Sequence, residues 1–296
     1  MKPRQSFSSK AAAFLLILTI TAVCLTGCRS VPAELPYSSA EICEETELTE
    51  TVRLHPAITV ETFRNRSYPL IYHLVTIDLS DRTLAITATP LSAGNTAAAG
   101  CVKGESTLSF AKRTDALVAI NATPYAIPGN KPRFLTPYRK LTGLFIESGR
   151  QFSAPESRYA ALGFTGEKQA FILNSQTDPL PSDTAFVFGG FWQILKDGEH
   201  CGSFKNIQDS RTAAGISKDG MTLFLLSVEG ERPFSSRGLS YYDCAEILKK
   251  AGASSAIELD GGSSASLVIQ GENFLSYRVS HIVANNFGIT AEESVY

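Results

Sequence analysis

Residues 256–269 read AIELDGGSSASLVI. An apolar run, Ala256–Leu259, carries Glu258 inside it and Asp260 at its end, breaks on Gly261-Gly262, and resumes as Leu267–Ile269. Successive side chains of a strand point to opposite faces, so Ile257 and Leu259 are expected on one side and Glu258 and Asp260 on the other. A core strand has no use for the acids, and the flanks are too apolar for an exposed hairpin. Two carboxylates about 7 Å apart along a strand can divide acid and base work if their surroundings separate their pKa values. They could equally bind a divalent cation. Gly261 and Gly262 open backbone angles closed to other residues and let a ligand come close. Ser263, Ser264 and Ser266 add hydroxyls and N–H groups suited to phosphate oxygens. No Gly-Lys-Ser/Thr follows, so the break is not a P-loop.

Working outward, GLSYYDCAEILKKAGA (238–253) is punctuated as a helix. Ser240 can cap its start with Asp243 three residues on, and Gly252 can close it. STLSFAKRT (106–114) reads as a shorter helix before the apolar strand ALVAIN (116–121). Between them, turns at Ser148-Gly149, Gly166-Glu167, Asp197-Gly198 and Asp219-Gly220 separate apolar runs, which predicts antiparallel hairpins. LIYHLVTIDLS (70–80) and RTLAITATP (82–90), joined at a Ser-Asp turn, predict another. SFAKRTDALVAIN resembles AEILKKAGASSAIE, and SRYAALGFTG resembles SRTAAGISKDG. A duplicated helix–strand–hairpin unit would make Asn121 equivalent to Glu258 and Arg158 to Arg211. The fold class expected is α+β: twisted, largely antiparallel sheets covered by at least two helices.

The 296 residues suffice for a sizeable core, and a formal net charge of −2 argues against a nucleic-acid binder. Lys2, Arg4 and Lys10 precede the uncharged run Ala11–Cys28, the form of a secretory signal. Its end, Leu-Thr-Gly-Cys (25–28), resembles a bacterial lipobox. That resemblance implies a signal peptide over 1–27, lipidation of Cys28, and a domain held at the cell envelope outside the cytoplasm. Residues 28–51, rich in glutamate, read as an acidic flexible tether, and 52–296 as the folded domain. Export leaves Cys43, Cys101, Cys201 and Cys244 free either to form one or two disulfides or to stay as buried thiols.

Taken together and in order, VAIN (118–121), KLTGLFIESGR, FGGFWQILKDGE, RTAAGISKDGMTLFLLSVEG, the 238–253 helix, ELDGGSSASLV and RVSHIVANNFG resemble the phosphodiester glycosidase domain. That family includes the enzyme that uncovers mannose 6-phosphate by removing phosphate-linked N-acetylglucosamine. The resemblance covers roughly residues 71–290. It implies a hydrolase of sugar-1-phosphodiester linkages, with envelope or extracellular glycans as substrates for an exported chain.

Position by position, Asn121 matches the Asn of the family's Ala-Ile-Asn-Gly-Gly, and Arg211 its Arg-Thr arginine, a group suited to phosphate. Glu229 stands at the acid of Val-Asp-Gly. Asp260, Gly261 and Gly262 match directly, as do Ser264 and Asn285. The implied roles are catalytic for Asp260 and Glu229, and substrate-binding for Arg211, Asn121, Gly261, Gly262, Ser264 and Asn285; Glu258, where the family commonly has a neutral residue, is a third catalytic candidate on the strength of its own carboxyl. Ala122-Thr123 replaces the family's glycine pair, Ser263 its third glycine, and Ala265 its second serine or threonine. These departures keep open a glycan-binding lipoprotein without turnover. The acids themselves keep open a metal-dependent phosphodiesterase, so a divalent cation remains an option. His73 shows no spacing to His55 or His200 that suggests a metal site. Trp192, with Phe188 and Phe191, reads either as core or as a platform for a sugar ring.

Overall fold

The computed structural model describes Ile42 and residues 45–89, 96–98, 100–130, 132–277 and 281–292. The expected signal peptide, Cys28 and Cys43 lie outside them. Strand Glu47–His55 begins five residues before Val52, so the acidic segment yields to folded chain earlier than the sequence suggests.

The described residues hold 22 strands and two α-helices, α1 (Thr107–Thr114) and α2 (Tyr241–Ala251). The largest sheet has eight antiparallel strands, in the spatial order Glu47–His55, Ile58–Asn65, Leu70–Asp78, Thr222–Val228, Arg211–Ile216, Ser255–Glu258, Gln193–Lys196 and Glu199–His200. A five-stranded sheet runs Glu272–Asn273, Leu267–Ile269, Val118–Asn121, Asn286–Ala291 and Leu84–Ala88. A second five-stranded sheet is built from strands between Phe145 and Gly189, and a four-stranded one from strands between Thr96 and Leu141.

This corrects the expected α+β class: the fold is β-rich. One hydrophobic cluster joins Val60, Val75, Leu225, Ala214 and Ile257 of the largest sheet to Ile120, Leu267 and Phe287 of the next and to Phe145, Phe164 and Phe188 of the third. The inner faces of the sheets therefore cover one another, and helices are not needed to bury them. Helix α2 packs mainly on one face of the largest sheet, and α1 mainly on the first five-stranded sheet.

The hairpins at Ser148-Gly149, Gly166-Glu167, Asp197-Gly198 and Asp219-Gly220 form as expected. Helix α2 carries the full capping box between Ser240 and Asp243 and ends on left-handed Gly252. The 70–80/82–90 hairpin does not form. Leu70–Asp78 pairs with Ile58–Asn65 and Thr222–Val228, whereas Leu84–Ala88 pairs with Asn286–Ala291. Each strand finds apolar partners elsewhere, and the five residues between them serve as a crossing. Arg158 precedes its strand, Ala161–Thr165, and is exposed, whereas Arg211 opens its own strand and is buried, so the expected equivalence of the two arginines is absent.

Among the described residues, Cys101, Cys201 and Cys244 are free thiols, and no helix is long and apolar enough to cross a membrane.

Candidate active site

Arg211 starts its strand, Glu229 follows the end of the antiparallel neighbour, and Glu258 ends the strand on the other side. Alternating direction thus brings all three to one edge of the largest sheet. Asn121 ends its strand in the first five-stranded sheet, beside Asn286 and opposite the start of Leu267–Ile269. The two sheets meet at the segment Ser210–Thr212.

Asn121 is the knot between them. Its Nδ2 donates to the Asp260 carbonyl (2.5 Å), and its Oδ1 accepts from the Thr212 hydroxyl (3.0 Å) and the Ser266 N–H (3.0 Å). The Asp260 N–H donates to the Ala122 carbonyl (3.0 Å). Asn285 lies one step behind: its Oδ1 accepts from the Thr123 N–H (2.8 Å) and its Nδ2 donates to the Thr123 hydroxyl. The Ala122-Thr123 pair is therefore clamped into the wall rather than offering open backbone.

The Gly261-Gly262 turn lies against Ser210. A Cβ on Gly261 would come within 2.9 Å of the Ser210 carbonyl, and Gly262 adopts φ +57°, so both positions need glycine. The Gly262 and Ser264 N–H groups are spent on the Ser210 and Gly261 carbonyls (2.7 and 3.2 Å). The turn's hydroxyls are also directed inward: Ser264 to the Asp260 carboxyl, and Ser266 to Thr107 and Asn121.

Three carboxyls share this edge but have different surroundings. Asp260 is partly exposed as a residue, yet its Oδ2 is enclosed without a hydrogen-bond partner. Burial pushes its carboxyl up to about 7, against the opposing pull of the Ser264 hydroxyl and the Arg133 charge. Glu258 faces the helix side of the sheet, because its register partner Ala213 is on the face that Gly215 presents to Leu248 and Ala253. Neither Glu258 oxygen has a nitrogen or oxygen donor within reach, and the Cys244 thiol lies at its side. Burial pushes Glu258 up to about 8, although Arg211 favours its ionised form.

Glu229 is the opposite case. Burial pushes it up, but His73 and Ser276 outweigh this and hold it below the ordinary carboxylate range. His73 Nε2 lies 3.2 Å from Oε1, the Ser276 N–H donates to Oε1 (2.7 Å), and the Ser276 hydroxyl donates to Oε2. The Thr62 hydroxyl meets the other nitrogen of His73 (3.1 Å). With both oxygens engaged, Glu229 is placed as an anchor for the Ser276-Tyr277 segment.

Arg211 is 8% exposed; its Nε donates to the Leu239 carbonyl (2.9 Å), its Nη2 to the Ile207 carbonyl (2.6 Å), and it lies 4.3 Å over the Tyr241 ring. No group of three or more His, Cys, Asp or Glu side chains that could hold a metal ion occurs among the described residues. Glu229 is saturated and Glu258 faces the helix, so the donor set does not fit a divalent cation.

The sequence reading missed His73, Thr212, Asp209, Arg133, Tyr241, Cys244 and Ser276. Four of these left a trace without a role: His73 interrupts a buried strand, Thr212 follows Arg211 within the family segment, and Tyr241 and Cys244 lie in the 238–253 helix.

A family model for phosphodiester glycosidase matches residues 114–291. An uncharacterized SPbeta prophage-derived protein, YomE, of Bacillus subtilis (strain 168) is 27% identical over 212 residues, 64% of this chain and 30% of that protein. The N-acetylglucosamine-1-phosphodiester alpha-N-acetylglucosaminidase of Mus musculus is 37% identical over 82 residues, 28% of this chain and 15% of that enzyme. The chain thus spans less than a third of the length of these curated relatives. The catalytic domain of the zebrafish enzyme superposes with a TM-score of 0.59 at 20% identity, over 84% of this chain and 88% of that one. A hypothetical protein from Synechocystis gives a TM-score of 0.56 at 18% identity, over 82% and 64%. These two likenesses speak to the fold alone. With its family segment spanning well over half of the chain and carrying Asn121, Arg211 and Asp260, the protein belongs to the phosphodiester glycosidase family.

Proposed function

We propose that the chain hydrolyses a sugar-1-phosphodiester in envelope or extracellular glycans, breaking the bond between the anomeric carbon and the bridging oxygen. The observation that carries this reading is Asp260: an enclosed carboxyl with one unpartnered oxygen, brought near neutrality by burial, on a turn packed against Arg211. A group titrating near 7 is matched to general-base work at neutral pH. The Asp260 carboxylate takes a proton from water, the hydroxide oxygen joins the anomeric carbon, and the phosphate monoester leaves with the bridging oxygen and its electron pair. A phosphate monoester is a stable anion, so no strong acid is required. Glu258, held mostly protonated at pH 7 by burial, does not spend the Arg211 charge that would meet the anionic diester. Asn121 and Asn285 act as positioning residues.

The test is hydrolysis of an aryl sugar-1-phosphodiester by the parent and by Asp260→Asn and Arg211→Ala. Turnover should rise with pH through about 7, as Asp260 ionises, and fall by roughly 10²–10⁴-fold in Asp260→Asn. Reaction in oxygen-18 water should label the sugar; label in the phosphate refutes the C–O reading. One feature favours a second reading, a glycan binder without turnover: buried Ala122 and Thr123 stand where the family has two glycines. Saturable glycan binding by a parent inactive on several sugars would establish it. Export and anchoring through Cys28 belong to the same proposal, and mass spectrometry of the mature amino terminus tests them directly.

A further inference from the structure

Beside Arg211 lies an open groove of about 400 Å³, within the range of small-ligand clefts, and its walls are aromatic. Trp192 is 38% exposed, with Tyr241 at 5.7 Å and Phe204 at 6.0 Å between ring centroids. Phe204 and Tyr241 meet edge to face at 5.3 Å, which closes the trio around the groove. Phe191 stacks on Trp192 at 5.4 Å and 24°, and Tyr159 abuts it edgewise, so the indole is held firmly from behind. Trp192 is thus braced on one side and open on the other, which differs from a tryptophan consumed by the core.

The groove is also contiguous with the candidate active site. The Trp192 carbonyl accepts from the Glu258 N–H (3.0 Å), and Arg211 lines the groove while its Cα lies 3.6 Å from a Cβ position on Gly261. Asp209 shares the groove wall, and its carboxylate is 3.7 Å from the corresponding position on Gly262. Flat apolar rings with charged groups at one border suit a molecule that has apolar ring faces, a polar rim and an anionic substituent. A pyranose phosphate has that form: its C–H faces meet aromatic surfaces, its hydroxyls reach the polar border, and its phosphate meets a guanidinium.

We propose that the groove bounded by Trp192, Phe204 and Tyr241 is a subsite that stacks the pyranose ring of a sugar phosphate, with the phosphate toward Arg211. The subsite rests on the sugar-phosphodiester reading for its ligand class, but its test does not need turnover. Trp192 is the single tryptophan of the chain, so its fluorescence reports on this groove and nowhere else. The full-length protein is titrated with N-acetylglucosamine 1-phosphate and glucose 1-phosphate, with inorganic phosphate and uridine monophosphate as comparisons. A saturable change in emission, with at least a twofold drop in acrylamide quenching, is expected for one of the sugar phosphates and not for inorganic phosphate. Phe204→Ala should weaken the apparent affinity by about tenfold, the stacking contribution of one aromatic. Phe234→Ala, a nearly fully exposed ring outside the groove, should leave it unchanged. No saturable response up to about 10 mM of either sugar phosphate, or an equal response to inorganic phosphate, overturns the subsite. So does a response to uridine monophosphate alone, which would make the groove a nucleobase site. Turnover with a silent Trp192 defeats the subsite and leaves the hydrolase reading standing. A Trp192 response without turnover does the reverse.

Discussion

Replacing Glu258 with glutamine keeps the shape of the side chain and removes its ionisation, which makes it a direct probe of a buried acid. Glu258 is 1% exposed, has no nitrogen or oxygen donor, and titrates at about 8 in the folded protein instead of the ordinary 4.5. A carboxyl whose pKa is raised by folding binds its proton more tightly in the native state. Its cost to stability therefore sets in above the unfolded pKa and is complete above the folded one. The 3.5-unit difference between 4.5 and 8 corresponds to about 5 kcal/mol at 1.36 kcal/mol per unit. That is a large share of the roughly 5–15 kcal/mol by which a domain is stable. The assay is urea unfolding of the parent and Glu258→Gln at several values between about pH 4.5 and pH 9. Any fixed cost of the amide appears as a constant offset, and Asp260, common to both proteins, cancels in the difference. The variant should gain on the parent by several kcal/mol as pH rises across the window, with unchanged m-values. A difference that stays flat with pH would refute the claim that Glu258 is held neutral by burial.

Two further outcomes follow from the hydrogen bonds. Asn121→Ala orphans the Asp260 carbonyl, the Thr212 hydroxyl and the Ser266 N–H; at about 1–3 kcal/mol for each buried unpaired group, it should cost at least 3 kcal/mol in chemical denaturation, or leave the chain unfolded. Glu229→Gln weakens the bonds from His73 and Ser276 and should cost roughly 2–3 kcal/mol at pH 7. Because Glu229 is held below its ordinary range, its contribution is present above the unfolded pKa and lost as pH falls through the folded one. Parent and Glu229→Gln should therefore converge in stability as the solution is acidified, by thermal or urea unfolding. A gap that widens in acid would contradict the placement.

What the amino-acid order determined by itself was local. Ser148-Gly149 and Asp197-Gly198 both adopt positive φ at two successive residues, as a two-residue hairpin requires, and that demand falls on the turn residues alone. Ser240, Asp243 and Gly252 bounded α2 for a similar reason: a cap is satisfied by groups three or four residues away. The resemblance to the family singled out Asn121, Arg211 and Asp260 as candidates, because each falls within a short segment similar to the family's. The layering was not legible. Leu70–Asp78 could not reveal its pairing with Thr222–Val228, because an alternating strand fits any partner of matching length. The α+β expectation failed at the same point: strand patterns say which face is apolar, but not whether a helix or another sheet covers it.

The same limit governed the acids. Glu229, Glu258 and Asp260 look alike as letters. Tertiary structure gave the first His73 and Ser276 as partners, closed the second away from donors, and set the third on a turn with one oxygen free. Desolvation and hydrogen bonding act through space, so a carboxyl's charge state is decided by the chain segments that fold around it. Trp192 belongs to the same class: only packing decided which of its faces was covered and which was left open beside Arg211.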